Sequence, residues 1–422
     1  TLVAAQRVAW YVGGTRIDGG FGAKLMTISD FNGDGVQDLM VSSVPVNRIG
    51  ATVSLVSGID GTILRVLQGQ FPLQGFGASF ADIGDTNGDG ISDLAIGSDV
   101  MDRIEVFSGS NSDLLLTLAY SNSGFGSALA RIGDFDSDGN ADFIATDSLT
   151  VSVYSGSDGR HLGLYARPTP YPIADPRLIP LPDLDGDGLA DVLLLSAWEF
   201  RILYAGPALR SQELQRPAGA TSAFGSGAIC VADLDGDGAA EILAADNLAF
   251  GGGQTGAIFV ISPIHNRLID RIRAPRPGQV LWTTAMSSAE DLDADGCEDV
   301  IIMQGDSRHL AIISGRTRRI RSYWTPSSQF APMWIGPDGM TSLRDVDGDG
   351  FAEIAIGNAS TTDLRGRCLL LSTKFLAATT SIGTGCAAGS TSPRLGVSLP
   401  ILGSTALIEI RNAPLAAPGI LV

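Results

Sequence analysis

Lysine is almost missing from this 422-residue chain: of its 28 basic residues only Lys24 and Lys374 are lysine, and the arginines form no patch. Nothing here would track a phosphate backbone, so no nucleic-acid partner is expected. Histidine is as scarce. His161, His265 and His309 stand far apart, and no serine or cysteine sits in a nucleophile motif, so the chain reads as a non-enzyme. The four cysteines, Cys230, Cys297, Cys368 and Cys386, have the spacing of neither a zinc site nor a disulfide framework. No apolar run reaches the length of about 18 residues that a membrane-spanning helix needs. Long runs with helical periodicity are few, while 53 glycines punctuate short strands, which points to an all-β chain.

What the chain has in excess is acid, 46 Asp and Glu for a formal charge of -18. The acids recur in a nine-residue pattern: acid at positions 1, 5 and 9, acid or Asn at 3, and Gly at 6. Asp183-Leu-Asp-Gly-Asp-Gly-Leu-Ala-Asp191 shows it plainly. Seven copies begin at Asp30, Asp85, Asp134, Asp183, Asp233, Asp291 and Asp345. A recurrence near every fifty residues marks a repeat architecture.

Oxygen donors on alternate residues of a tight turn converge on one point, and a carbonyl at position 7 can join them; that is a Ca²⁺ site. The first two copies offer Asp30, Asn32, Asp34 and Asp38 with the carbonyl of Val36, and Asp85, Asn87, Asp89 and Asp93 with that of Ile91. The next two offer Asp134, Asp136, Asp138 and Asp142 with Asn140, and Asp183, Asp185, Asp187 and Asp191 with Leu189. The fifth offers Asp233, Asp235, Asp237 and Glu241 with Ala239. The last two offer Asp291, Asp293, Asp295 and Asp299 with Cys297, and Asp345, Asp347, Asp349 and Glu353 with Phe351. An EF-hand would need Glu at position 12, where this chain has Val41, Ile96 or Leu194. Up to seven structural Ca²⁺ would bring the charge to about -4, an ordinary surface. Loops of this kind fill at extracellular Ca²⁺, so a secreted or cell-surface location is expected. The opening at Thr1 without a basic leader suits either a mature form after signal removal or a trimmed chain.

Each copy sits in a unit of four strands, which predicts four-stranded antiparallel blades. Phe-Gly stands nine residues before the first acid at Phe21, Phe76, Phe125 and Phe224, and Trp282 keeps that offset from Asp291. Blades 4 and 7 carry Ala174 and Gly336 there instead and should be irregular. After Cys368-Leu-Leu-Leu-Ser372 no fourth strand follows, so residues 2 to 12 are expected to complete blade 7 and close the ring.

With its Phe-Gly pairs, acidic nonamers and following Leu-x-x-Gly/Ser strands, the chain resembles the FG-GAP/VCBS repeat family, which includes the integrin α-subunit headpiece and some fungal lectins. The resemblance spans residues 8 to 378. It implies a seven-bladed β-propeller, with Ca²⁺ in the loop joining strands 1 and 2 of each blade, serving adhesion or ligand recognition outside cells. The chain departs from the family in having loops in all seven blades and Glu at 241 and 353. A lectin, a lyase-like polysaccharide enzyme and a subunit of an extracellular assembly remain alternatives on this scaffold.

Residues 1–378 are thus expected to form the propeller and 379–422 a linker with a partial C-terminal β module. The connectors opposite the calcium loops carry exposed aromatics: Trp198 between strands 2 and 3 of blade 4, and Tyr323, Trp324, Phe330 and Trp334 ahead of blade 7. A protein or glycan ligand is expected there, at Trp198, Trp324 and Trp334.

Overall fold

The computed structural model describes residues 8–14, 20–43, 50–70, 75–120, 124–165, 176–196, 199–206, 209–221, 223–247, 256–273, 283–293, 295–304, 309–324, 338–358, 366–373, 394–397 and 408–411. Seven antiparallel sheets of four strands follow one another along the chain, with a separate two-stranded sheet formed by Arg394–Val397 and Ile408–Arg411. Blade 1 runs Phe21–Ile28, Asp38–Ser43, Thr52–Val56 and Ile63–Gln68, with the acidic nonamer between its inner and second strands. Blades 2 to 6 repeat that order, and blade 7 does so with a fourth strand from the N-terminus. This is the expected seven-bladed propeller.

The alternation of side chains along a strand explains how the blades stack. In the second strand of blade 1, Leu39 and Val41 pack against blade 7, while Met40 packs against blade 2. In blade 4, Val192 and Leu194 face blade 3, and Leu193 and Leu195 face blade 5. Both faces of these strands are buried, so they read as continuous hydrophobic runs instead of alternating ones. Among the described residues the apolar core divides into seven clusters, one at each junction between neighbouring blades. No single blade can bury its own faces, so stability belongs to the closed ring.

Phe-Gly has a specific role in that stacking. Phe21, Phe76, Phe125 and Phe224 are buried between blades, and the glycines after them hold φ of +87°, +79°, +82° and +86°. A Cβ on Gly22 would lie 2.4 Å from the Arg367 carbonyl oxygen, and one on Gly126 2.7 Å from that of Arg103. Only glycine lets the inner strand bulge there against its neighbour. The pairing register shifts at this point in blades 1, 2 and 5. Blades 4 and 7, which lack Phe-Gly, have inner strands of only four residues, Arg177–Pro180 and Met340–Leu343. The offset that placed Trp282 in this series falls outside the described residues.

Ring closure is made by the N-terminal strand, Val8–Gly13, which pairs with Arg367–Ser372 as the outer strand of blade 7. Residues 2–7 of the expected closing segment lie outside the described residues. Trp10 then ties blade 7 to blade 1: its ring lies over Gly61, and its Nε1 donates to the Gly58 carbonyl at 2.7 Å. The inner strands meet through Thr27, whose Oγ1 donates to the Ser342 carbonyl at 2.6 Å.

A second tie crosses the axis. Asp338, at the start of blade 7, lies 3.2 Å from Lys24 Nζ in blade 1 and 3.6 Å from Arg177 Nη1 in blade 4. In a ring of seven, blade 4 stands opposite the junction of blades 7 and 1, so these side chains span the space between facing inner strands. The two cations hold the Asp338 carboxyl below its ordinary pKa against the cost of burial.

Replacing Trp10 with alanine is expected to lower the unfolding free energy by about 3–5 kcal/mol, the range for truncating a large aromatic in a core. Denaturant titration measures it, and an unchanged midpoint would show that this strand does not secure the ring.

Candidate metal centre

The nonamers are folded by their own carboxylates. In blade 4, Asp183 Oδ1 accepts the amides of Gly186 and Asp187 at 2.7 and 3.2 Å, and its Oδ2 accepts that of Gly188 at 2.7 Å. Asp187 Oδ1 accepts the Leu189 amide at 3.0 Å. Blade 1 repeats the arrangement with Asp30 taking the amides of Gly33, Asp34 and Gly35, and Asp34 that of Val36. These bonds wind the backbone around the acid at position 1, as Asx turns do. The Gly188 amide is the largest influence holding the Asp183 carboxyl below its usual pKa, so it stays an anion.

Position 9 is different in kind. Asp38, Asp93, Asp142, Asp191, Glu241, Asp299 and Glu353 are all fully buried. Asp191 Oδ2 accepts the Leu184 amide at 2.9 Å, and its Oδ1 accepts the amide of Ala205, at the turn between strands 3 and 4, at 3.0 Å. Asp38, Asp93, Asp142 and Asp299 make the same pair of contacts, the second coming from Gly58, Gly109, Gly156 and Gly315. A Cβ on any of these four glycines would lie 2.0 Å from the carbonyl oxygen of the residue before the position-9 acid. The recurrent Ser-Gly turn is therefore a steric requirement of that clasp. Burial pushes the carboxyls of Asp38, Asp142, Asp191 and Asp299 up to about 6, that of Glu241 to about 7 and that of Glu353 to about 8.

One carboxylate oxygen from each of four residues comes within 4.8 Å of the others in blade 5 (Asp233, Asp235, Asp237, Glu241) and in blade 7 (Asp345, Asp347, Asp349, Glu353). Three gather this closely in blade 3 (Asp134, Asp136, Asp142), blade 4 (Asp183, Asp185, Asp191) and blade 6 (Asp291, Asp293, Asp295). Blades 1 and 2, with Asn32 and Asn87 at position 3, form no such group among the described residues. Position 5 leans toward the strand 3–4 turn, where Asp89 accepts Ser110 Oγ at 2.6 Å and Asp138 accepts Ser157 Oγ at 2.7 Å. The donor set is all oxygen, which suits a hard cation such as Ca²⁺. Glu241 Oε1, Glu353 Oε1 and Asp293 Oδ1 are buried without a hydrogen-bond partner, as atoms awaiting a cation would be.

The spacing of the nonamers gives no hint of the arginines that reach them. Arg160 bonds Asp136 Oδ2, Arg210 bonds Asp185 Oδ2 at 2.6 Å, and Arg267 bonds Asp235 Oδ2 at 3.0 Å. In blade 6, Arg321 lies 3.6 Å from Asp293. Each contacts position 3. The signal was present in the sequence: in blades 3, 4 and 5, where position 3 is Asp, an arginine stands at the opening of the fourth strand, whereas blades 1 and 2 pair Asn with Thr62 and Asp113. Of the aromatic candidates, Trp198 and Trp334 lie outside the described residues. Trp324 is not in a connector: its backbone ends the outer strand of blade 6, Arg319–Trp324, in register with Leu310. That strand runs further than expected because its neighbour extends to Leu310.

A carboxyl whose pKa rises on folding stabilises the fold while protonated; the contribution is complete below its ordinary value of 3.8 or 4.5 and is lost as pH rises through 6 toward 8. The chelated protein should thus melt higher at pH 5 than at pH 8. Saturating Ca²⁺, which takes the ionised form, should remove or invert that order. Melting curves at both pH values with and without chelator check it, and a chelated protein that melts higher at pH 8 would contradict it.

Residues 183–244 match the family described as FG-GAP-like repeat, from the nonamer of blade 4 into the second strand of blade 5. Integrin alpha-4 of Xenopus laevis is 27% identical over 170 residues, 37% of this chain and 16% of that protein. Integrin alpha-2 of Mus musculus is 34% identical over 110 residues, 24% of this chain and 9% of that protein. The chain thus matches less than a fifth of the length of these relatives. Among solved structures, the crystal structure of BBS1N in complex with ARL6DN, soaked with mercury, aligns at a TM-score of 0.55 and 8% identity, over 88% of this chain and 97% of that one. The form soaked with lead gives 0.55 at 10% identity, over 87% and 97%. Identity that low bears on the fold alone. The repeat match, the likeness to integrin α-subunits and the seven four-stranded blades together support an integrin-α-like FG-GAP propeller.

Proposed function

We propose that this propeller is a calcium-stabilised binding or adhesion module that works outside the cell, with up to seven structural Ca²⁺ in its nonamer loops. The observation that carries the reading is the buried acid at position 9, which joins each loop to its own blade. A cation bound by positions 1, 3, 5 and 9 and the position-7 carbonyl would thereby brace the blade. The likeness to integrins supports a recognition role over an enzymatic one. The carboxylates that might serve as bases are committed to backbone amides in the loops.

The ligand, a protein or a glycan, would dock on the face opposite the loops. Connectors from strand 2 to 3 and from strand 4 to the next blade would emerge there, those of Trp198 and Trp334 among them, and the outer strand ending at Trp324 runs toward the same face. Rigid strands carrying aromatic loops are a common recognition device.

A site held at a hundred times its dissociation constant adds about 2.7 kcal/mol, so chelation should lower the melting temperature by many degrees, and elemental analysis should find calcium in the untreated protein. Unchanged melting together with no bound metal would end the proposal. For the ligand face, alanine at Trp198, Trp324 and Trp334 together should abolish capture on a glycan and matrix-protein array. Retained capture would move the site elsewhere.

A further inference from the structure

The two loops that end in Glu differ from the five that end in Asp by more than one methylene. In the Asp loops both oxygens of the last carboxylate are held, one by the amide at position 2 and the other by an amide from the strand 3–4 turn. In blade 5 that turn carries Pro263, which has no N–H to give. Blade 7 carries Thr373 there, whose hydroxyl donates instead to the Ala352 carbonyl. Glu241 and Glu353 each keep the first contact, to the Leu234 amide at 2.6 Å and the Val346 amide at 2.7 Å. Their Oε1 atoms are left buried and unpartnered, although both side chains are fully enclosed. These are also the two loops in which all four carboxylates converge. Asp293, the other loop acid with an orphaned oxygen, is 14% exposed and sits above an Asp299 that has both its amide contacts.

We propose that Glu241 and Glu353 make blades 5 and 7 a separate, tighter class of divalent-cation site, filled before the other loops and responsible for most of the dependence of the fold on metal. An unpaired anionic oxygen in a dry site raises the free energy of the empty loop, and a cation that coordinates it removes that penalty on binding. In the Asp loops the amides have already relieved it, so the same ion gains less. The proposal rests on the metal reading above but concerns how the sites differ.

The test uses the whole chain, stripped of metal and titrated with Ca²⁺ by calorimetry, together with melting curves. The wild type should show two sites at least ten times tighter than the rest. In Glu241→Gln and Glu353→Gln, one tight site should disappear per substitution. In chelator at pH 9 each variant should melt higher than the wild type, because the uncompensated charge is gone, and should gain less on adding Ca²⁺. A residue that merely packed would do the reverse and melt lower in chelator, which would overturn the proposal. A single class of sites in the wild type would overturn it while leaving the calcium reading intact. No binding at all would overturn both.

Discussion

The structure depends on an anion kept away from water. In every blade the last acid of the nonamer is fully buried and accepts an amide of its own loop, and in five blades its second oxygen accepts an amide of the distant strand 3–4 turn. Burying such a group costs far more than a surface contact returns, so those amides must be in place whenever the acid is ionised. The blade cannot shift its loop without exposing or orphaning that charge. An acidic loop of nine residues therefore becomes a framing member of a sheet of four strands.

Much of this was legible in the sequence, because the features that build a blade are local. Phe21-Gly22 and the acid nine residues later lie on one strand and its loop, and their spacing recurs whatever the neighbours do. The closing strand was legible by subtraction, since no fourth-strand pattern follows Ser372 in the sequence. What was not legible depends on approach between distant segments. Arg160 meets Asp136 across 24 residues, and Trp10 meets Gly58 across 48. Whether Glu241 finds a second donor depends on Pro263, which only the folded turn brings to its side.

The arginines at the loops show a regularity that a reading of the nonamers alone misses. Blades 1 and 2 carry three acids and an Asn. Blades 3, 4 and 5 carry four acids, and an arginine from the opening of the fourth strand lies on the extra one. Each of the five loops thus presents a net charge of about -3 by two routes. The guanidinium occupies one oxygen of the position-3 carboxylate and leaves the other facing the loop, an outer contact of the kind that orients metal ligands.

The tie among Lys24, Asp338 and Arg177 bears on what the hole in the disc can be used for. Rings of this kind invite the idea of an axial passage in which a polymer is threaded or a small molecule held. Here charged side chains reach into the passage from facing walls, and an entrant would meet both ion pairs. Traffic along the axis would thus work against the same contacts that hold the inner strands in a ring.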